Sequence, residues 1–465
     1  MIGPTGKTPK VGGGGSAHVV PASAASPLDT ITQRAGAGTS VRYATGIDTT
    51  GTAIPAAALS PAPPLDSTGS ATVSPNAPLS YNGTLTVPSE GDYSFVLSPP
   101  TFATLTVDGA PVVTSILETS SGTVHLSAGS HSFSLLAVAF GSPASAPVQL
   151  TWVTPQATAQ ARADAVALAK QVQTPIVFAF DAGSEGLDRP DLSLQSGQDD
   201  LISAVAGVNP NTIVVLNTGS SIKMPWLDKV KAVLDTYYPG QNGAEATARL
   251  LFGDVNPSGK LTQTFPTSEN QTPVAGDPKA YPGVNNEENY SEGIYVGYRW
   301  YDKNAVTPLF PFGYGLSYTS FGYRDVKATP HKGGLKVRFI LTNRGDRAGA
   351  EVAQVYVGPS PDTALPQAVR ALAGYEKVAL RPGESRPCDD RAACPPAREL
   401  EPQHAWLGAR HRTAFGVGRR FLLGSAAAHD SARTRPLTHS VPRLQRRSRG
   451  VQPGNRRQPA GAATV

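Results

Sequence analysis

The sequence predicts an α/β domain that is split by an all-β insert and followed by a second, smaller β-rich domain. Strand and helix patterns alternate between residues 154 and 323, which is typical of a parallel sheet covered by helices on both faces. Charged residues are rare from 49 to 153, where short runs alternate apolar and polar side chains as half-buried strands do. Residues 324–385 return to this alternation, so we expect a second β-sandwich there.

Length and composition agree with a folded protein of several domains. The 465 residues are 40% apolar and 16% charged, and the 47 glycines and 42 prolines favour turns and sheets over long helices. No apolar run reaches the length of a membrane span, so we expect no membrane partner. The first residues show no hydrophobic export signal. The sequence does not identify the compartment.

The positive net charge of +5 comes from the last 80 residues. From Arg386 onward there are 15 arginines, no lysine and 5 acidic residues, so this tail carries +10 and the remainder about −5. A nucleic-acid partner would depend on the tail alone, and we expect none. Both cysteines, Cys388 and Cys394, also lie in the tail. The first 385 residues therefore contain no cysteine for a disulfide framework or a zinc cluster. No P-loop, HExxH or CxxC motif is present either, and we expect neither metal nor cofactor.

Residues 1–48 are predicted to start the α/β domain. Ile2-Gly3-Pro4 is typical of the end of a strand, and Gly12–Gly15 with Ser16 would by itself indicate a flexible linker. The apolar residues that follow, up to Ile31, favour instead a glycine-rich loop that leads into a helix.

The α/β domain resumes after the insert with alternating elements. Helices are predicted at 157–171, 198–208 and 244–252, and buried strands at 175–180, 212–216 and 230–238. Within the insert, Asp108-Gly109 lies between two strand-like runs and predicts a hairpin.

The strongest candidate for chemistry is the acidic loop Asp181–Arg189. It follows directly on a buried strand, and ligands of open α/β sheets bind beyond the carboxyl ends of strands. Asp188 and Arg189 are expected to pair and to hold the loop. A solvated acidic loop without chemistry is the alternative that these residues leave open.

The run from Gly293 to Tyr323, with its PFGYGLSYT sequence, combines glycines with an unusual density of Tyr and Phe. By composition it is an aromatic core segment. The order of its residues resembles the closing segment of the second domain in glycoside hydrolase family 3, the β-glucosidase and β-xylosidase group. The resemblance covers about residues 1–384. It implies an α/β sandwich domain with a protective-antigen-type β-sandwich insert and a fibronectin-III-like domain.

The resemblance also implies site residues. The pattern Glu-Gly-x-Asp-Arg at 185–189 matches the loop that carries the family's general acid/base, which places that role on Glu185. Asp188 and Arg189, and Phe102 in the insert, are expected to bind a small β-glycoside or oligosaccharide. One departure is Leu194–Gly197, which reads Leu-Gln-Ser-Gly where the family usually has Leu-Pro-Gly.

The family's nucleophile, an aspartate, comes from a (β/α)₈ barrel that precedes this domain, and no eightfold strand–helix series is present here. We therefore expect a C-terminal fragment of a retaining β-glucosidase-like enzyme, with negligible turnover by itself. Two alternatives remain: a non-catalytic carbohydrate-binding protein, and an inactive pseudogene product.

The sandwich pattern is expected to stop at 385. Residues 386–465 are Arg-rich and lysine-free, and they predict a disordered basic tail. Because family-like sequence ends within a domain, we interpret the tail as the product of a frame slip near residue 385.

Overall fold

A computed structural model describes most of the chain in two compact units. The first unit includes the described residues of Met1–Gly219 and Met224–Ala248, and the second comprises those of Ser220–Lys223, Arg249–Asn455 and Gly461–Val465. The described residues are 1–75, 77–99, 101–116, 119–140, 144–181, 183–185, 188–189, 191–331, 334–359, 366–392, 422–424 and 461–464. No helix in these ranges is long and apolar enough to cross a membrane.

Helices are few and short in the described ranges. They are α1 Pro27–Ala35, α2 Pro155–Ala169, α3 Gln198–Val208, α4 Gly243–Leu251 and α5 Tyr298–Lys303. Two begin with a proline at the first helical position, where its missing N–H costs nothing. The Ser26 hydroxyl accepts the Asp29 N–H at 3.3 Å in α1, and the Thr154 hydroxyl accepts the Ala157 N–H at 3.3 Å in α2.

The insert is all β, as its alternating sequence predicts. Its strands are β1 Thr52–Ala53, β2 Leu59–Ser60, β3 Ser70–Val73, β4 Leu79–Val87, β5 Gly91–Ser98, β6 Phe102–Val107, β7 Ala110–Ile116, β8 Ser120–Leu126, β9 Gly129–Val138 and β10 Ala146–Val153.

Two antiparallel sheets form the insert. One has the order β1-β10-β5-β8, with β3 beside β10, and the other has the order β2-β4-β9-β6-β7. Inward side chains from both sheets share one apolar core, which includes Leu85, Phe95, Leu105, Phe133 and Leu150. The predicted hairpin at Asp108-Gly109 joins β6 to β7.

A parallel sheet forms the centre of the α/β part. Its strands are β11 Ile176–Phe180, β12 Ile213–Asn217 and β13 Ala232–Asp235, paired in that order. Strand β12 is buried along its length, and β11 and β13 are buried except at one end residue each, which explains their continuous apolar sequence. Ile2 forms a parallel bridge with Val177, so the first residues extend the sheet, as their strand-like sequence predicts.

The second unit contains the aromatic run and a further sandwich. Tyr298 of α5 stacks on Phe312 with ring centroids 5.0 Å apart, and Tyr301 is buried beside Trp300. The strands are β14 Phe321–His331, β15 Gly334–Asn343, β16 Gly349–Val357, β17 Ala371–Leu380, β18 Ser385–Ala392 and β19 Leu422–Gly424, followed in the chain by β20 Gly461–Thr464. The sandwich core includes Val337, Phe339, Val355 and Leu380.

Strand β18 lies where the sequence predicted the sandwich to stop. It pairs with β15 from Ser385 to Ala392, so the fold continues past residue 385. Cys388 lies opposite Phe339 in this register and is buried in the sandwich core. It is the residue of β18 that joins the apolar core, which the Arg-rich sequence around it concealed. Most of the predicted disordered tail lies outside the described residues.

Candidate functional site

Glu185 lies on the loop that leaves β11 at the carboxyl edge of the parallel sheet. Its side chain is exposed, and its Oε2 accepts the Ser16 N–H at 2.9 Å. The Ser16 hydroxyl and N–H together hold the pKa of Glu185 below its ordinary value. In this chain the side chain is thus a carboxylate at neutral pH.

The glycine-rich loop near the start of the chain positions Glu185. Gly14 donates its N–H to the Gly183 carbonyl at 3.0 Å, and Glu185 donates its own N–H to the Gly14 carbonyl at 3.3 Å. Gly15 has a φ of +65°, and a Cβ there would come within 2.6 Å of the Glu185 Cβ. The glycines are therefore required for close approach of two segments, and they do not act as a linker.

A buried network lies beneath this loop. Asp181 is 0% exposed, and it accepts the Tyr238 hydroxyl at 2.5 Å and the Gly219 N–H at 3.0 Å. Arg189 Nη1 is 3.7 Å from Asp181 Oδ2, the oxygen that accepts the Gly219 N–H. Burial, followed by the Asp181 carboxylate, raises the pKa of Tyr238, so its hydroxyl stays a donor.

The Tyr238 ring fills the space between the loops. A Cβ placed on Gly13, Gly183 or Gly219 would lie 2.6–2.8 Å from a Tyr238 atom. The ring therefore supports both the glycine-rich loop and the Gly183–Glu185 segment from below. Tyr238, which is hydrogen-bonded to Asp181, thus packs against the two segments that hold the Glu185 carboxylate.

A second buried carboxylate ends β13. Asp235 is 2% exposed and accepts the Tyr237 N–H at 3.0 Å. Burial, with a contribution from the Asp181 charge, raises the pKa of Asp235 to about 7. Asp235 thus retains its proton into the neutral range.

The other predicted site residues lie on the same loop and in the insert. Arg189 contacts Asp181 and donates to the Ser193 carbonyl at 3.1 Å, and its pairing with Asp188 stays a prediction. Asp188 is exposed on the same loop. Phe102 starts β6, half-buried and paired with Ile116 and Val138. Within the described residues no hydrogen bond, ion pair or ring contact joins Phe102 to Glu185.

Three residues that surround the Glu185 loop were not predicted from the sequence as members of the candidate site. Ser16 was assigned only to a glycine-rich loop, Asp181 was not separated from the other acidic residues, and Tyr238 was interpreted as part of a turn. Asp181 and Asp235 each directly follow or end a buried strand, and that position is a usable sequence signal. No comparable local signal identifies Ser16 or Tyr238, whose partners are 169 and 57 residues away in the chain.

Two parts of the chain match known protein families. Residues 1–298 match the glycosyl hydrolase family 3 C-terminal domain, and residues 351–389 match the fibronectin type III-like domain. The second match extends past residue 385, in agreement with strand β18.

Curated relatives are similar to part of the chain. The chain is 48% identical over 204 residues to a beta-glucosidase of Rhizobium radiobacter, covering 43% of this chain and 25% of the relative. It is 44% identical over 207 residues to thermostable beta-glucosidase B of Acetivibrio thermocellus, covering 44% of this chain and 27% of the relative. The matched part thus spans about a quarter of the length of each of these relatives.

Solved structures extend the similarity to most of the chain. DesR, a beta-glucosidase from Streptomyces venezuelae solved in complex with D-glucose, is 52% identical with a TM-score of 0.78. The match covers 84% of this chain and 50% of DesR. The beta-glucosidase from Kluyveromyces marxianus in complex with glucose is 25% identical with a TM-score of 0.60, over 83% of this chain and 53% of that protein. With its parallel sheet, its Glu185 loop and a family match over residues 1–298, the chain belongs to glycoside hydrolase family 3 and carries that family's C-terminal domain.

Proposed function

We propose that this chain contributes the acid/base half of a retaining β-glucosidase site, with Glu185 as the proton donor and acceptor. The observation that carries the proposal is the exposed Glu185 carboxylate, held at the carboxyl edge of the parallel sheet by Ser16 and the glycine-rich loop. Such a carboxylate is rigidly presented and accessible to a substrate. The names of the relatives, which are beta-glucosidases, support glucose as the terminal sugar.

The proposed chemistry has two proton transfers. Glu185 protonates the glycosidic oxygen as the bond to the leaving group breaks, and it then removes a proton from the water that releases the sugar. Retention requires a second carboxylate about 5–5.5 Å away, acting as the nucleophile. We assign that group to a barrel domain on further polypeptide, in agreement with the resemblance to the family.

The lowered pKa of Glu185 supports a site in which the acid/base and the nucleophile come from separate domains. A general acid must hold its proton near neutral pH, yet Ser16 lowers the pKa of Glu185 in this chain. A second carboxylate at the distance required for retention would raise that pKa by charge repulsion. The acid function is therefore expected only where both carboxylates are together, and the chain by itself should have negligible turnover.

Asp188 and Arg189 have separate roles in the proposal. Asp188 is exposed and is suited to accept a sugar hydroxyl, whereas Arg189 is tied to Asp181 and Ser193 and orients the loop. The two antiparallel sheets around one core support a protective-antigen-type insert, with Phe102 at its rim as a sugar contact.

The experiment is complementation with the half of DesR that this chain does not match. Hydrolysis of cellobiose is measured, because its sugar leaving group needs protonation. Turnover should appear in the mixture and fall by roughly 10²–10⁴-fold with Glu185→Gln. Glu288→Gln is the control, since Glu288 is also exposed and also accepts one hydrogen bond, from the Tyr290 hydroxyl at 3.0 Å.

Full cellobiose turnover with Glu185→Gln would contradict the acid/base role. A chain that binds glucose but never complements would favour the alternative, a carbohydrate-binding module. The lowered pKa of Glu185 suits that alternative too, because a permanent carboxylate accepts hydrogen bonds from sugar hydroxyls.

A further inference from the structure

His131 connects three segments at one end of the insert. Its Nδ1 is 2.6 Å from Oδ2 of Asp108, which lies in the hairpin between β6 and β7. Its Nε2 is 2.8 Å from the carbonyl oxygen of Ser127, which lies in the connection from β8 in one sheet to β9 in the other. One side chain of β9 thus holds both a hairpin and an inter-sheet connection.

Both oxygens that contact the His131 ring are acceptors. A carbonyl oxygen cannot donate, and the Asp108 carboxylate also accepts the Ser132 N–H at 2.9 Å through its other oxygen. A neutral imidazole carries a proton on one nitrogen only, so its second nitrogen would direct a lone pair at one of these oxygens. Imidazolium, with a proton on each nitrogen, is the form that satisfies both contacts.

The His131 ring is buried on the inward face of β9, with 9% of its surface exposed. Leu85 of β4 lies opposite it in the register, and Phe133 follows it on the same face. Water therefore has little access to a ring nitrogen that loses its partner, and the lost hydrogen bond is not replaced. The Asp108 side chain is 53% exposed, so its carboxylate stays solvated while it binds the ring.

Among the described residues, Asp108 is the charged group that contacts His131. Strands β4, β6 and β7 and the rest of β9 contain no acidic or basic residue. The tyrosines of β4 and β5, Tyr81 and Tyr93, donate their hydroxyls to backbone carbonyls elsewhere. The acidic and basic side chains at β5 and β8 are exposed and bind one another, and they are Glu90, Asp92 and His125.

The electrostatics of this cluster agree with its geometry. The hydrogen bonds to the Ser127 carbonyl and to Asp108 raise the pKa of His131, and burial opposes them. The hydrogen bond from His131 lowers the pKa of Asp108. The stability that His131 contributes is therefore complete below its usual pKa of 6.5 and is lost as pH rises through the raised value. The contribution of Asp108 is complete above its usual 3.8 and is lost as pH falls through the lowered value.

We propose that protonated His131 is a pH-sensitive lock on this end of the insert. In the protonated state it holds the hairpin at Asp108 and the inter-sheet connection at Ser127. When it loses one proton, the carboxylate retains the remaining N–H as the stronger acceptor, and the Ser127 connection is released. The lock lies in the insert and does not depend on the proposed glycosidase chemistry.

The test is a pH titration of the full-length chain, labelled with ¹³C in histidine rings and serine carbonyls and followed by NMR. The His131 ring should titrate above pH 6.5, and the Ser127 carbonyl carbon should shift with the same midpoint. The variants His131→Gln and Ser127→Ala each remove one signal and so assign both.

Two further variants separate the lock from an ordinary ion pair. Asp108→Asn should lower the His131 midpoint by about one pH unit or more, because the charge that holds the proton is lost. Asparagine also suits the φ of +48° at this hairpin position. Asp92→Asn is the matched control: Asp92 is an exposed carboxylate 2.8 Å from a nitrogen of His125, and its loss should leave the His131 midpoint unchanged.

Equilibrium unfolding in urea gives an independent measurement. The stability that the native protein has in excess of His131→Gln should be largest between about pH 4 and pH 6.5, and it should fall as pH rises through the His131 midpoint. The proposal is overturned if His131 titrates at or below pH 6.5, or if the Ser127 carbonyl does not follow it. It is also overturned if Asp92→Asn moves the His131 midpoint as much as Asp108→Asn does.

Discussion

The insert and the carboxyl edge of the parallel sheet bury different kinds of side chain. The insert core consists of apolar residues from two facing sheets, among them Phe95 and Leu105. The sheet edge buries two carboxyl groups, Asp181 and Asp235, with the polar residues Asn217 and Thr218 between them. An apolar core is the arrangement that burial favours, whereas buried carboxyl groups cost free energy and persist where function needs them. The difference separates a part of the chain with an apolar core from the part that supports the Glu185 loop.

The largest expected effect tests the apolar half of this comparison. Phe95 is 0% exposed, and Phe95→Ala should lower the free energy of unfolding by about 3–5 kcal/mol through lost burial and a cavity. Equilibrium unfolding in urea measures it. Phe140→Ala is the control, because Phe140 is 66% exposed and its removal should cost little. Similar losses for both variants would mean that the insert core is not the stabilising element.

The next effect is a pH dependence at the sheet edge. The pKa of Asp235 is raised from 3.8 to about 7, so the native state keeps a proton that the unfolded chain releases near pH 4. This contribution to stability is complete below about pH 4 and is lost as pH rises to about 7, at about 1.4 kcal/mol per unit of pKa shift.

Asp235→Asn should remove that slope, so the difference in unfolding free energy between the native protein and the variant should change by a few kcal/mol between pH 4 and pH 7. Asp228→Asn is the control, since Asp228 is exposed. A constant difference across this pH range would show that Asp235 is ionised in the folded protein.

A smaller effect is expected at Tyr238. Tyr238→Phe removes the hydroxyl that donates to Asp181 at 2.5 Å and should cost about 1–3 kcal/mol, because a buried carboxylate loses a donor. Titration of ¹³C-labelled glutamate by NMR should also show an altered pKa at Glu185 if Tyr238 positions that loop. Tyr375→Phe, at an exposed tyrosine, should change neither quantity. A stability loss with an unchanged Glu185 titration would limit Tyr238 to a structural role.

The smallest stability effect is expected at Glu185 itself. Glu185→Gln keeps an acceptor for the Ser16 N–H on an exposed loop, so the free energy of unfolding should change by less than about 0.5 kcal/mol. A large destabilisation in the same urea experiment would show that Glu185 stabilises the fold, as Phe95 does.

Much of the fold followed from local patterns. The parallel strands were predicted from continuous apolar runs, helix α3 from its spacing of Leu201, Ile202 and Val205, and the insert strands from alternation. Strand β18 was missed because its sequence is Arg-rich, and only pairing with β15 shows that Cys388 points into a core. The polar residues around Cys388 concealed the one side chain of β18 that belongs to the core, and the strand was therefore not predicted.

The sequence by itself determined the order of strands and helices and the position of the Glu185 loop after a buried strand, because these depend on periodicity among neighbouring residues. Only the tertiary structure decided what surrounds that loop. Ser16 contacts Glu185 across 169 residues of the chain, and Tyr238 contacts Asp181 across 57. Such contacts depend on packing between distant segments, and no local pattern of side chains specifies them.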